Sequence, residues 1–229
     1  MKTCPVIALV AIAGTLGLAG CKPHPTTLAG QVFIVTQGGD NVKLGDIEIL
    51  LVEKSQVRSF LQKKEPIIES EIASKKQELA VAREDDNKRF AAHKAEEAKY
   101  EHSQYSLEAW NEKTRVFQLW SAAYARLGAA EKTLQYVESA ENYLMGFSPV
   151  ITQKTTSDAD GRFSFVYPRD KALTIYASAQ RSLLNGTEKY YWLVDAPTNA
   201  EMVQVFLSNN NLVFVDPDGY FKLKPKQPR

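Results

Sequence analysis

Hydrophobic and polar residues follow different patterns along the chain, and these patterns divide it into blocks. Segments 32–36 and 47–52 are rich in β-branched and aromatic residues, which favour strands, and the turn-forming segment 38–41 separates them. Residues 67–127 contain no glycine or proline and are rich in alanine, glutamate and lysine, which favour helix. The sequence therefore predicts an α+β protein in which a helical block interrupts the strands. Later strand patterns lie within residues 155–168, 173–179, 189–194 and 203–207.

Two apolar stripes run along the helical block. The earlier stripe consists of Leu61, Ile68, Ile72, Leu79 and Ala82. The later stripe alternates spacings of four and three, as a coiled-coil seam does, at Val116, Trp120, Ala123, Leu127, Ala130, Leu134, Val137, Glu141 and Leu144. One long helix would leave both stripes exposed to water. We therefore predict that the two stripes pack against each other.

A long antiparallel α-helical hairpin that turns near residue 105 would bury both stripes. Ser106 is a suitable N-cap for the second arm, and each arm would be about 60 Å long. Folding about residue 105 pairs position 134 with roughly position 76, allowing one turn of error in the register.

Two features of the helical block leave alternatives open. Pro66 can occupy the first turn of the first helix, or lie inside a helix that begins near Ser55. The earlier stripe fades in the charged segment 83–89, so a three-helix arrangement with a break at residues 84–87 competes with the hairpin.

The N-terminal block has the pattern of a cleaved secretory signal. Lys2 supplies a positive charge, and residues 5–20 contain no charged side chain. This apolar run of about 16 residues is shorter than the roughly 20 that a membrane-spanning helix needs. Residues 18–21, Leu-Ala-Gly-Cys, resemble the lipobox of bacterial lipoproteins, whose signal is cleaved before the cysteine. The resemblance implies that Cys21 is lipidated with diacylglycerol and a further acyl chain, which anchor the protein to a membrane.

Cysteine and charge counts refine this interpretation. Cys4 lies in the segment that cleavage removes, so a lipidated Cys21 leaves no thiol for a disulfide or a metal. Lys22 stands where an aspartate tends to retain such lipoproteins in the inner membrane, so the resemblance implies the periplasmic face of an outer membrane. The whole chain has 28 basic and 27 acidic residues, and removal of Lys2 leaves 27 of each. A neutral chain has no general field for nucleic acid.

Four segments of the β blocks share a recognisable pattern. They are residues 30–32, 44–49, 156–165 and 173–177, of which the stretch Asp-Ala-Asp-Gly-Arg-Phe at 158–163 is the most specific. Together they resemble the carboxypeptidase regulatory-like domain, an antiparallel β-sandwich of the transthyretin (prealbumin) type. The resemblance implies an accessory module without catalytic residues, here interrupted by the helical hairpin. The inserted helices depart from the family pattern, as does the lack of a glycine in residues 167–172.

The predicted organisation has six parts. These are a signal peptide at 1–20, a lipidated N-terminus and tether at 21–29, a first β part at 30–54, the helical hairpin at 55–147, a second β part at 148–221 and a basic disordered tail at 222–229. The β parts are expected to fold together, because two-stranded units are marginally stable alone.

A calcium loop is the first chemical motif to consider. Asp158, Asp160 and Gly161 match part of such a loop, but Tyr167 stands where a bidentate glutamate is required. We therefore interpret the segment as a hairpin turn in which Gly161 supplies a positive φ.

Other polar residues also lack the pattern of a catalytic or metal site. His93 and His102 are nine residues apart and point to opposite faces of a helix, so both are predicted to be solvated. Asp85 and Asp86 lie in a charged helical run and are predicted to form a solvated face. We expect no catalytic residue, no metal and no cofactor, and the sequence identifies no small-molecule substrate.

Aromatic residues form a further stripe on the later helix, at Trp110, Phe117 and Tyr124. The simpler interpretation is packing against the first helix or the sandwich, and the functional one is a contact for an envelope protein or a peptidoglycan strand. The sequence as a whole predicts a membrane-anchored periplasmic lipoprotein that acts as a binding or scaffold module and not as an enzyme. The alternatives are an adaptor of an envelope transport complex and an envelope hydrolase.

Overall fold

The computed structural model describes residues 25–36, 38–184 and 186–213. The predicted signal peptide, the lipidation at Cys21 and the basic tail lie outside these residues. Within these residues, eight strands and three α-helices follow in the order β1 Pro25–Val35, β2 Asn41–Lys43, β3 Glu48–Glu53, α1 Lys54–His102, α2 Leu107–Val137, α3 Ala140–Leu144, β4 Ile151–Thr156, β5 Arg162–Pro168, β6 Leu173–Leu183, β7 Gly186–Asp195 and β8 Met202–Leu207. The predicted α+β class is confirmed.

Two four-stranded sheets combine strands from before and after the helices. In the first sheet β1 pairs antiparallel with β2 and β5 and parallel with β8. The second sheet has the order β4-β3-β6-β7, and all of its pairs are antiparallel. Because β1 and β3 find their partners on the far side of the helical block, neither β segment forms its sheet alone.

A shared hydrophobic core joins the two sheets. Alternate residues of β1 are buried, as expected for a strand with one face toward the core. Trp192 of β7 is fully buried, and its indole Nε1 donates a hydrogen bond of 3.0 Å to the carbonyl oxygen of Ser208. The first sheet contributes Leu28, Val32, Ile34, Phe163, Phe165, Tyr167, Val205 and Leu207, and the second contributes Ile49, Leu51, Leu173, Ile175, Ala177, Tyr190 and Trp192.

The predicted tether is partly wrong, because residues 25–29 belong to β1. Thr26 and Leu28 are fully buried, and Pro25 pairs with Pro168 at the end of β5. Two prolines and two threonines suggested a linker, but proline is tolerated as the first residue of a strand. Thr26 and Leu28 also continue the inward-facing alternation that Val32 and Ile34 show further along.

The segment 158–161 forms a turn, but the turn is not a hairpin as predicted. Asp158 Oδ1 accepts hydrogen bonds from the amides of Asp160 and Arg162, and Gly161 has φ +75°. The flanking strands β4 and β5 lie in different sheets, so the turn carries the chain from one sheet to the other. Polar and apolar residues alternate with the same period whether the two strands pair in a hairpin or lie in different sheets. The sequence pattern could therefore not distinguish a hairpin turn from a connection between sheets.

The helical hairpin is confirmed, with its turn at residues 103–106. Ser106 caps α2 as predicted, since its hydroxyl oxygen accepts a hydrogen bond from the amide of Ala109 at 3.3 Å. Helix α1 runs without interruption through residues 84–87, so the three-helix alternative is wrong. Pro66 lies inside α1, which begins at Lys54.

Ion pairs between the two long helices fix their register. Lys76 lies 3.9 Å from Glu138, Arg83 lies 3.3 Å from Glu131, and Lys113 lies 4.0 Å from Glu97. The predicted pairing of positions 76 and 134 is therefore one helical turn from the observed one. All seven residues of the predicted seam that lie in α2 are buried or half-buried, from Val116 to Val137.

Only the base of the hairpin packs against the sheets. Val57 of α1 and Leu144 of α3 share a buried cluster with Val52 and Leu193 of the second sheet. From Ile68 onward the next buried cluster contains helical residues alone. At 1.5 Å per residue, the hairpin extends about 50 Å past this junction to the end of α1. Within the described residues, no helix combines the length and apolar character needed to cross a membrane.

Candidate interaction site

The predicted aromatic stripe lies on the surface of the distal hairpin. The exposed fractions are 49% for Trp110, 46% for Phe117 and 64% for Tyr124. Each of these rings contacts at least one neighbouring aromatic ring, so packing covers only part of each side chain. The structure thus leaves a line of partly exposed aromatic side chains along α2, beyond the junction with the sheets.

A group of five rings that includes His93 lies in the middle of the hairpin, and we call it the His93 cluster. The imidazole of His93 stacks on Trp120, with ring centroids 5.2 Å apart and planes 11° apart. Phe117 meets His93 edge-on at 5.4 Å, and Phe90 packs on Trp120 at 5.3 Å. Tyr124 lies at the margin of the cluster, 6.3 Å from Trp120.

The prediction that His93 is solvated is wrong. His93 is only 8% exposed, and neither its Nδ1 nor the Nε1 of Trp120 has a hydrogen-bond partner. Steps of seven from Ile72 and Leu79 lead to position 93, so His93 occupies the same helix face as the earlier stripe. This spacing indicated a buried position, but histidine is a polar residue and was therefore expected to be solvated. His102, in contrast, is exposed at the end of α1.

A second aromatic group closes the end of the hairpin, and we call it the tip cluster. It consists of Tyr100, Tyr105, Trp110 and Lys113. Tyr100 lies between the two other rings, 5.1 Å from Tyr105 and 5.5 Å from Trp110 by ring centroids. The ammonium Nζ of Lys113 lies 4.8 Å from the ring centroid of Tyr100 and 5.9 Å from that of Trp110.

The backbone of the turn presents Tyr105 to solvent. Gln104 has φ +53° and Tyr105 has φ +64°, the left-handed region that side chains other than glycine rarely adopt. Each such residue costs about 1–2 kcal/mol. The amide of Ser103 donates to the carbonyl oxygen of Lys99 at 2.9 Å and closes α1 before the turn. Tyr105 is 67% exposed as a result.

Charged side chains along the hairpin are arranged in ion pairs. Asp85 accepts a hydrogen bond of 2.5 Å from Arg126 across the hairpin and one of 2.8 Å from Arg89 on its own helix. Arg126 is the main cause that lowers the pKa of Asp85 below its ordinary value, and Arg89 adds to it. Asp85 is therefore an interhelical contact and not the solvated residue that was predicted.

A carboxylate also adjoins the tip cluster. Lys94 donates a hydrogen bond of 2.8 Å to Glu97 and is the main cause that lowers the pKa of Glu97. Lys113 lowers this pKa further, because its ammonium lies 4.0 Å from Glu97. The end of the hairpin thus combines aromatic rings, one carboxylate and an ammonium within a small volume.

The other predicted candidates for chemistry are not brought together. Asp160 is engaged by Lys43 at 2.6 Å and by Arg162 at 3.4 Å, and Lys43 is the main cause that lowers its pKa. His93 lies in the hairpin interior, whereas His102 lies outside it. Across residues 25–36, 38–184 and 186–213, no group of three or more His, Cys, Asp or Glu side chains could hold a metal ion.

Comparisons with known proteins give little information about this chain. No protein-family model matches it, and no curated protein sequence does. Two weakly similar solved structures are the pilus backbone RrgB of Streptococcus pneumoniae, at 14% identity and a TM-score of 0.18, and the full-length major pilin RrgB of the same organism, at 16% and 0.19. The matches cover 79% and 80% of this chain but only 40% and 30% of those chains. Such low TM-scores do not establish a shared fold.

Proposed function

We propose that the protein is a lipid-anchored envelope protein that acts by binding, and that the distal half of its helical hairpin contacts a partner protein. The observation that carries this proposal is the line of exposed aromatic side chains at Trp110, Phe117 and Tyr124. Large exposed apolar patches on soluble proteins mark interaction sites more often than not. Tyrosine and tryptophan are also enriched among the residues that dominate binding energy.

The size of the aromatic surface is consistent with a specific contact. A tyrosine or tryptophan side chain buries about 150–250 Å² when it is covered completely. Covering the exposed half of one ring removes about 100 Å² from water, which contributes about 2 kcal/mol. Three such rings on one helix supply anchoring residues for an interface, because aromatic side chains dominate the binding energy of many contacts.

The two sheets support the proposed role as a carrier for the hairpin. We infer that they form the transthyretin-type sandwich that the carboxypeptidase regulatory-like segments suggest. Their core contains side chains of both sheets, and the hairpin leaves it between β3 and β4. Domains of this type are accessory modules, so the sheets would hold the hairpin in place while the helices provide the contact.

The proposed anchor would place the base of the hairpin near the membrane. Only residues 22–24 separate Cys21 from Pro25, a span of at most about 14 Å. Pro25 pairs with Pro168, and the amide of Lys54 donates to the carbonyl oxygen of Ala172 at 3.0 Å. The start of β1 and the start of α1 therefore lie at the same end of the sheets.

Site-specific photo-crosslinking in intact cells tests the proposed contact. A photoreactive amino acid at position 117 or 124 is expected to give one discrete adduct with an envelope protein. Positions 125 and 132 are suitable controls, because Ala125 and Lys132 are exposed on the same helix but outside the aromatic stripe. Equal crosslinking at all four positions, or none at 117 and 124, would contradict the proposed surface.

A further inference from the structure

We propose that the tip cluster is a binding site for a lysine side chain of the partner protein, and that Lys113 occupies the site until the partner binds. This inference rests on the proposed function and specifies the chemistry of the contact. It comes from the geometry around Tyr100, where two further aromatic rings and one ammonium group converge.

The rings of the tip cluster have the chemistry of an ammonium site. The faces of aromatic rings carry negative partial charge, so they attract a cation that lies within about 6 Å of the ring centroid. Lys113 meets this condition for Tyr100 at 4.8 Å and for Trp110 at 5.9 Å. The side chain of Lys113 thus shows which kind of group the cluster accommodates.

One carboxylate lies next to the ammonium of Lys113. Glu97 is 4.0 Å from this ammonium, whereas Glu112 is paired with Arg115 at 2.5 Å. An incoming ammonium would take over the contacts with Glu97 and with the rings that Lys113 now makes.

Displacement of Lys113 would break one long ion pair and its contacts with two rings. The separation of Lys113 from Glu97 is at the limit of an ion pair, and Glu97 already accepts a shorter hydrogen bond from Lys94. Tyr105 and Trp110 are 67% and 49% exposed, so a partner can reach the rings from solvent. Tyr105 lies in the turn between the two long helices, where its backbone is left-handed.

Nuclear magnetic resonance of the detergent-solubilised full chain can test the site with a small probe. The probe is acetyl-lysine methylamide, and the control probe is acetyl-norleucine methylamide, which has the same shape without the ammonium. The indole N–H signal of Trp110 is assigned with Trp110→Phe. In Lys113→Met this signal is expected to shift saturably with the lysine probe at about tenfold lower concentration than in the wild type.

The matched control is Lys132→Met, which removes an exposed lysine of the same helix and should behave like the wild type. Tyr100→Leu in the Lys113→Met background should abolish the shift of Trp110, while circular dichroism verifies that the helices remain. Equal shifts with the norleucine probe, or equal affinities in the wild type and Lys113→Met, would overturn the proposal. A shift that follows protein concentration without any probe would show that a second copy occupies the site, and would overturn it too.

The titration separates this inference from the proposed function. It uses isolated protein and does not depend on an envelope partner. Crosslinking at positions 117 and 124 without an ammonium site at the tip would leave the proposed function standing and remove the inference. An ammonium site without any crosslinked partner would remove the proposed function, and with it the assignment of the bound lysine to a partner protein.

Discussion

Ile68→Asp is expected to unfold the helical hairpin while the two sheets remain folded. Ile68 is 1% exposed and packs with Ile72, Val137 and Tyr143, where the hairpin leaves the sheets. Removing a buried isoleucine side chain costs about 2–5 kcal/mol, and a buried unpaired carboxylate costs more. The free energy of unfolding of the hairpin should fall by at least about 4 kcal/mol. Far-UV circular dichroism should show the loss of helix, with the strand signal retained.

The neighbouring residue provides a matched control for this substitution. Ile67 is 62% exposed, so Ile67→Asp introduces the same charge one position away without entering the cluster. Its effect should stay within about 0.5 kcal/mol, as for most surface substitutions. Equal helix loss in both variants would show that the seam does not hold the hairpin together. Loss of the strand signal in Ile68→Asp would show that the sheets depend on the helices.

Cys21→Ser is expected to block lipidation of the protein. The lipobox-like residues 18–21 predict that the thiol of Cys21 accepts the lipid, and a serine hydroxyl cannot replace it in that reaction. Acyl chains contribute about 0.8 kcal/mol per buried methylene, so their loss removes the anchoring free energy that the lipid supplies. Partition between detergent and water measures the change, and the mass of the N-terminal peptide identifies the modification.

The native protein provides the decisive comparison for the anchor. An unmodified Cys21 in the wild-type protein would contradict lipidation whatever the variant does. Ser55→Ala, a change at an exposed position in α1, should leave partition into detergent unchanged.

The helical part of the fold was predictable from the sequence because its signals are local. The stripes that include Ile72 and Val116 have helical spacing, and Ser106 marks the start of α2. The register of the two helices was predicted to within one helical turn, because a short connection between antiparallel helices allows few ways of pairing their residues. The fading of the earlier stripe suggested a break at residues 84–87, but Asp85 pairs with Arg89 and Arg126 across this segment and α1 continues through it.

Features that depend on distant partners were missed. Residues 25–29 become a strand only because β5 and β8 lie on either side of them. The turn at 158–161 joins two sheets, and the period of its flanking strands does not reveal this. The tip cluster was not predicted, because the sequence does not distinguish Lys113 from any other lysine in a helix. Only the closing of the hairpin brings its ammonium to Tyr100.

The most direct test of the account is the native size of the protein after mild detergent extraction from the envelope. The variant Phe117→Gln/Tyr124→Gln removes two exposed rings, and Ala125→Gln/Lys132→Gln is the matched control on the same helix. Circular dichroism must first show that both variants are folded. We predict that the wild type and the control migrate in a complex larger than the single chain, whereas the aromatic variant migrates alone. Migration of all three proteins in the same complex would contradict the claim that this surface binds the partner.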